Sequence, residues 1–123
     1  MGENKNKSIV QLCPVRNVIS RFGDKWSILI LLLLSENENL RYNHLSKQIP
    51  DISQKMLACT LKSLEADKLI NRKVYPGVPL RVEYRLTDIG KSLIPHINAL
   101  TNWALDNMAE ITKHRKKVEK FVS

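Results

Sequence analysis

Residues 70–90 read INRKVYPGVPLRVEYRLTDIG, and the change of period inside them decides the fold. Ile70, Arg72 and Val74 interleave with Asn71 and Lys73, and Val82, Tyr84 and Leu86 alternate with Arg81, Glu83 and Arg85. Alternation at a spacing of two marks a half-buried strand. Between the two runs, Pro76-Gly77-Val78-Pro79 makes a turn with two rigid corners. The pattern predicts a short antiparallel ribbon with a stiff tip, after which Thr87 or Asp88 caps a helix.

Upstream the period is helical. Ser53 can cap a helix running to about Asp67, with Leu57, Leu61 and Leu64 on one stripe and Gln54, Lys55, Ala58, Cys59 and Lys62 on the opposite side. Pro50-Asp51-Ile52 separates it from a helix over about Tyr42–Ile49, which Leu45 and Ile49 point inward, and Leu40-Arg41 forms a short strand before that. Asp24 caps another helix, whose positions Trp26, Leu29, Ile30, Leu33 and Leu34 leave almost no polar side, as expected of the central element of a core. A first short helix begins at Pro14, carries Val15, Val18, Ile19 and Phe22, and stops at Gly23. Residues 1–8 show no apolar periodicity and read as a mobile arm ahead of a single domain over residues 9–112.

Downstream, Leu93, Ile97, Leu100, Ala104, Met108 and Ile111 continue an apolar stripe at helical spacing. Pro95 lies inside it and predicts a kink or two abutting helices. Trp103 adds apolar surface that a small core cannot wholly cover; either a partner subunit covers it or it folds back on its own chain. Lys113, Arg115, Lys116, Lys117 and Lys120 make residues 113–123 a basic, solvated tail.

With 123 residues the chain holds one ordinary domain, and 43% hydrophobic with 26% charged residues fits neither a disordered chain nor a membrane protein. The longest apolar run, Ile28–Leu34, is far short of the roughly 20 residues a spanning helix needs. Cys13 and Cys59 are too few for a disulfide scaffold, and with no secretory signal the expected compartment is the cytoplasm. A net charge of +8 favours a polyanionic partner. Catalytic parts are missing: there is no GxGxxG, P-loop or HExxH, and His44, His96 and His114 share no ligand spacing. Two cysteines without a CxxC argue against a structural zinc, so no metal, cofactor or catalytic residue is expected.

The order helix, helix, short strand, helix, turn, helix, two-stranded ribbon and long closing helix is that of a winged helix-turn-helix: mainly α, with a small β-hairpin wing. An exposed helix fits the major groove of double-stranded DNA, where polar side chains reach base edges, while a cationic ribbon reaches toward phosphates or the minor groove. Across residues 71–91 five cations, Arg72, Lys73, Arg81, Arg85 and Lys91, face two carboxylates, Glu83 and Asp88. The competing reading is a winged-helix module for protein interaction, because a fold does not set function.

Three stretches resemble the HxlR family of winged-helix transcriptional regulators, related in fold to the MarR regulators: Cys13-Pro14-Val15, Gly23-Asp24-Lys25-Trp26, and above all residues 74–90. Residues 52–57 and 61–65 strengthen the likeness, whereas Leu80, where a second proline is usual, and Cys59, at a position more often polar, depart from it. The resemblance implies a homodimer, joined through the N-terminal helix (Val15, Val18, Ile19) and the C-terminal helices (Ile97, Leu100, Trp103, Ala104, Met108, Ile111). Such a dimer binds a pseudo-palindrome, usually as a repressor.

Within that frame Gln54 suits a bidentate contact to adenine, Lys55 and Lys62 suit guanine or phosphate, and Ser53 with the helix N-terminus suits phosphate. Arg81 is the expected wing contact, with Arg72, Lys73 and Arg85 beside it; Asn43 reaches the backbone, and His44 either does so too or is an idle surface residue. Several members of the family sense oxidants or electrophiles through a cysteine just before this proline. Cys13 is then either a redox sensor or a small packed hydrophobe. A small-molecule effector is compatible with the arrangement, but no residue set demands one.

Overall fold

The computed structural model describes the backbone of residues 13–122 and the side chains of residues 17–120. The arm expected over residues 1–8 therefore lies outside the described residues, as do the side chains of Cys13 and Val15.

The ribbon forms as β2 (Ile70–Tyr75) and β3 (Arg81–Leu86), antiparallel, with Tyr75 opposite Arg81 and Ile70 opposite Leu86. On the other edge of β3 lies β1 (Leu40–Arg41), Leu40 opposite Tyr84 and Arg41 opposite Glu83, so the sheet has three strands in the order β1-β3-β2. The register separates two faces: Leu40, Ile70, Arg72, Val74, Val82, Tyr84 and Leu86 share one, and Arg41, Asn71, Lys73, Tyr75, Arg81, Glu83 and Arg85 the other. Only the base of the ribbon is buried. Ile70, Tyr84 and Leu86 enter the core, while Val74, expected half-buried by its alternation, is exposed because β2 is an edge strand that outruns the helices beneath it. At the tip Gly77 has φ 146°, a conformation that side chains resist, and the Val78–Pro79 bond is cis.

Among the described residues, five helices surround the sheet. α1 (Cys13–Phe22) ends at Gly23, and α2 (Lys25–Glu36) begins with Asp24, whose Oδ1 accepts the N–H groups of Trp26 and Ser27 at 3.0 and 2.9 Å. Its Oδ2 accepts the Ser27 hydroxyl at 2.8 Å, which satisfies a buried serine. α2 buries Ile30, Leu31 and Leu34 at the centre of the core. Leu29, expected inside, is exposed: a helix apolar on nearly every side carries no preferred orientation of its own, and packing against the sheet and the later helices chooses Leu31 instead.

α3 (Tyr42–Gln48) and α4 (Gln54–Ala66) follow, with Leu45, Ile49, Leu57, Leu61 and Leu64 buried between them as the stripes predict. The Ser53 hydroxyl caps α4 by accepting the Met56 N–H at 3.0 Å. α4 closes through Lys68, a non-glycine at φ 63°. The N–H of Lys68 donates to the Glu65 carbonyl, and that of Leu69 to the Leu64 carbonyl.

The closing segment is one helix, α5 (Asp88–Val122), of 35 residues. At about 1.5 Å per residue it is roughly 50 Å long. Of the kink or two abutting helices expected at Pro95, the two helices do not form: Pro95 is accommodated inside one helix, and the basic run, exposed over residues 113–120, is helical through Val122. One missing backbone bond is a small loss against so long a ladder. Ile97, 5% exposed, is the last α5 side chain in the core, and Leu100, Trp103, Met108 and Ile111 beyond it are all more than half exposed.

Where α5 starts, the Thr87 hydroxyl accepts the Gly90 N–H at 3.0 Å, and the Thr87 N–H donates to the Leu69 carbonyl at 3.1 Å. A side chain at Gly90 would run into that same Leu69 carbonyl. The replacement Gly90→Ala is therefore expected to cost about 1–3 kcal/mol through overpacking against backbone, despite alanine's better helix propensity. Thermal unfolding of both proteins at one concentration measures it, and an unchanged midpoint would contradict the close approach.

Candidate nucleic-acid interface

α3 and α4 are fixed to each other by a small polar network at their exposed corner. The Tyr42 hydroxyl donates to the Gln54 carbonyl at 2.9 Å, and Gln54 Nε2 donates to the Ser46 hydroxyl at 3.2 Å. The N-terminal turn of α4 is thus capped by Ser53 and braced by Tyr42. Its free N–H groups and the positive end of its dipole face outward, a setting that suits phosphate oxygens.

Gln54, Lys55, Ala58, Cys59 and Lys62 are all exposed along one side of α4, as the sequence places them, and Cys59 carries a free thiol. Met56, also exposed, was not singled out by its sequence position. Asn43 and His44 lie exposed in the first turn of α3. Among the described residues the Gln54 amide oxygen has no hydrogen-bond donor, while its nitrogen holds Ser46, so a bidentate contact to adenine requires that bond to open.

The wing divides its cations. Arg81 stacks over the Tyr75 ring at 4.3 Å, and the Lys73 ammonium lies 5.1 Å from the same ring, gathering two expected contacts around one aromatic near the tip. Arg41, which sequence reading left out, joins that face through the pairing of β1 with β3. Arg72 lies on the opposite face beside Tyr84. Burial pushes the Tyr84 phenol above its ordinary pKa, against the pull of Arg72's charge and side-chain hydrogen bond.

Arg85, four residues from Arg81 along β3, sits about 13 Å nearer the base of the sheet. There it borders a cavity of about 740 Å³ with Asn71, Lys91, Glu36, Glu38 and Asp88. The five cations counted in the ribbon are therefore not one patch: Lys73 and Arg81 meet, while Arg72 and Arg85 do not join them.

The positions assigned to subunit contact divide as well. Val18, Ile19, Leu100, Trp103, Ala104, Met108 and Ile111 are exposed. Ile97 is not: it packs inside its own chain's core, because it falls in the part of α5 that lies over α2 and the sheet. Val18 shares a hollow with Ile89, Leu93 and His96, so the exposed apolar surfaces of α1 and α5 adjoin.

A capped helix with an exposed polar face, held by a braced helix-turn-helix beside a cationic hairpin, defines a winged-helix DNA-binding protein. The chain belongs to the HxlR-like helix-turn-helix family, which matches residues 21–112. It is 48% identical over 92 residues to an uncharacterized HTH-type transcriptional regulator of Methanothermobacter thermautotrophicus, covering 75% of this chain and 70% of the relative.

Among solved structures, the YtfH regulator of Salmonella typhimurium superposes with a TM-score of 0.79 at 34% identity, over 89% of this chain and 97% of the other. The redox regulator HypR in its oxidized form gives 0.71 at 35% identity, over 77% and 97%. The protein is a DNA-binding transcriptional regulator, and the family and relatives it matches are regulators rather than enzymes. Among the described residues no helix is long and apolar enough to cross a membrane.

Two variants at Ser53 separate capping from charge. With Ser53→Ala the cap is lost and stability should fall by about 1 kcal/mol. With Ser53→Asp the cap is kept, so stability should hold, but a carboxylate where phosphate is expected should weaken DNA binding. Chemical denaturation and a DNA titration on both variants test this; undiminished binding by Ser53→Asp would remove phosphate from the N-terminus of α4.

Proposed function

We propose that this regulator acts as a homodimeric repressor on a pseudo-palindromic operator, with one α4 in each of two successive major grooves about 34 Å apart. The observation that carries the reading is the presence of two surfaces in one small chain: the exposed polar side of α4 beside the Tyr75–Arg81 wing, and the uncovered apolar stripe of α5 together with exposed Val18 and Ile19 of α1. In this reading Gln54, Ala58, Cys59 and Lys62 face bases. Lys55, Ser53, Asn43 and His44 hold the backbone, and Lys73 and Arg81 hold phosphates beside the groove.

Repression follows simply from occupying promoter DNA. The likeness to HypR supports a second element, in which oxidation of Cys13, at the first residue of α1, changes the dimer and releases DNA.

The test is a titration of the duplex flanking the protein's own gene, run reduced and after mild oxidant, over a salt series. Binding should weaken steeply with salt. Gln54→Ala should relax sequence preference, whereas Arg81→Ala should weaken all duplexes alike. Release by oxidant should disappear in Cys13→Ser. A flat salt response with both variants unchanged would leave the protein-interaction reading; oxidant release persisting in Cys13→Ser would discard the sensor alone.

Trp103→Glu tests the dimer separately. Placing a charge in the centre of the exposed stripe should shift sedimentation from dimer to monomer at micromolar concentration without unfolding the chain, since Trp103 makes no part of the core. A variant that sediments like the parent would move the interface elsewhere.

A further inference from the structure

Among the described residues, Glu83 is the one carboxylate of the strands on the cationic face of the sheet. On the central strand it has Arg41 directly opposite on β1 and Lys73 directly opposite on β2, with Arg81 two residues before it and Arg85, nearer the base, two residues after it on β3. Arg81 and Arg41 both approach a single oxygen of it, Oε2, with Nε at 3.5 and 4.0 Å. The carboxylate lies deeper than either cation: its side chain is 18% exposed, against 43% for Arg81 and 53% for Arg41.

These contacts are too long and ill-directed to orient a guanidinium, since a positioning carboxylate makes short, paired hydrogen bonds to it. Arg81 is instead placed by the Tyr75 ring beneath it at 4.3 Å. What Glu83 adds is charge.

We propose that Glu83 is an internal counter-anion that attenuates DNA binding by the wing, holding the positive potential of Arg41, Lys73 and Arg81 below what three cations would otherwise present to a phosphate. The proposal rests on the DNA-binding reading and extends it to a residue that reading does not use. Attenuation has a physical use in a regulator. Wing contacts to phosphate bind any sequence, so restraining them preserves the margin by which base contacts from α4 select a site.

The experiment uses the full chain and a mixed-sequence duplex of about 30 base pairs, long enough for two half-sites one turn apart. Fluorescence anisotropy is read over a salt series for the parent, Glu83→Gln, Arg81→Ala and the double variant, with Gln54→Ala on the gene-flanking duplex as reference. Glu83→Gln should bind the mixed-sequence duplex about three- to tenfold more tightly near physiological salt, as one screened unit charge close to phosphate predicts. Its salt dependence should steepen by about one ion.

Arg81→Ala should cost a similar factor in affinity in the parent and in the Glu83→Gln background, because the potentials of charges held in place add. Equal or weaker binding by Glu83→Gln, or a gain from Glu83→Gln that disappears once Arg81 is alanine, would overturn the proposal, the latter by showing that Glu83 acts through the placement of Arg81 and not by its charge. Circular dichroism checks the fold. If Glu83→Gln does not fold, Glu83→Thr repeats the neutralisation with a residue suited to a strand. Loss of salt-dependent binding in Arg81→Ala with no change in Glu83→Gln would sink only Glu83's role; no salt-dependent binding by the parent would sink the DNA reading itself.

Discussion

One junction holds the working parts of this molecule in register. The Leu69 carbonyl accepts the Thr87 N–H, the Thr87 hydroxyl donates to the Lys68 carbonyl, and Gly90 lets the first turn of α5 close against Leu69. Lys68 and Leu69 are the hinge between α4 and β2, and Thr87 is the hinge between β3 and α5. The helix with the exposed polar side, the hairpin beside it and the helix that carries the uncovered stripe therefore share one hydrogen-bonded point. The junction is made of backbone bonds, one capping hydroxyl and a packed glycine, which makes it stiff.

The electrostatics follow the same economy of parts. A net charge of +8 raises the local concentration of any polyanion and says nothing of where it docks. In the proposed interface, docking depends on which cations are held still. Arg81 is fixed over Tyr75, and the N–H groups of α4 are fixed by the Ser53 cap and the Tyr42 brace, whereas the Lys and Arg of the distal α5 stand on a helix with little packed beneath them. Ordered donors lose less freedom when phosphate arrives, so they contribute more per charge. The Arg115–Glu119 pair at 3.3 Å is a solvent-exposed helical pair that adds little.

What the sequence makes legible is what depends on near neighbours. Asp24, Ser53 and Thr87 all cap as read, because an N-cap is decided within three residues, and the Leu57, Leu61 and Leu64 stripe is decided by the helical repeat alone. The ribbon is equally local. Lost are the features set by partners far along the chain. Arg41 reaches the wing face only because β1 pairs with a strand some 40 residues later, and Leu31 replaces Leu29 inside only because of what packs around α2.

Helix α4 ends at a left-handed lysine with no glycine to announce it. The split of Arg72 from Lys73 was within reach, since alternation alone puts neighbouring strand residues on opposite faces; a count of charge by segment discards that parity. Of the candidate site, the exposed side of α4 was legible from its helical repeat, whereas Glu83 stands out only once three strands are aligned around it.

The length of α5 makes sense as a division of labour within one helix. Up to Ile97 it is an ordinary core helix; beyond, its apolar positions continue at the same spacing with nothing of this chain's described residues to cover them. A stripe of leucine, tryptophan, methionine and isoleucine left in water gives up stabilisation that burial would supply at about 25 cal/mol per Å². A tail that merely solubilised the protein would need only the charges. Retaining both the stripe and a rigid helix to present it is economical only if another surface completes the core, and a second copy of α5 offers the same stripe in return. Because that stripe continues, without a break at Pro95, into the turn packed on Leu69, two chains joined along it would also set the distance between their α4 helices. The spacing of a DNA site would then be built into the helix that joins the subunits.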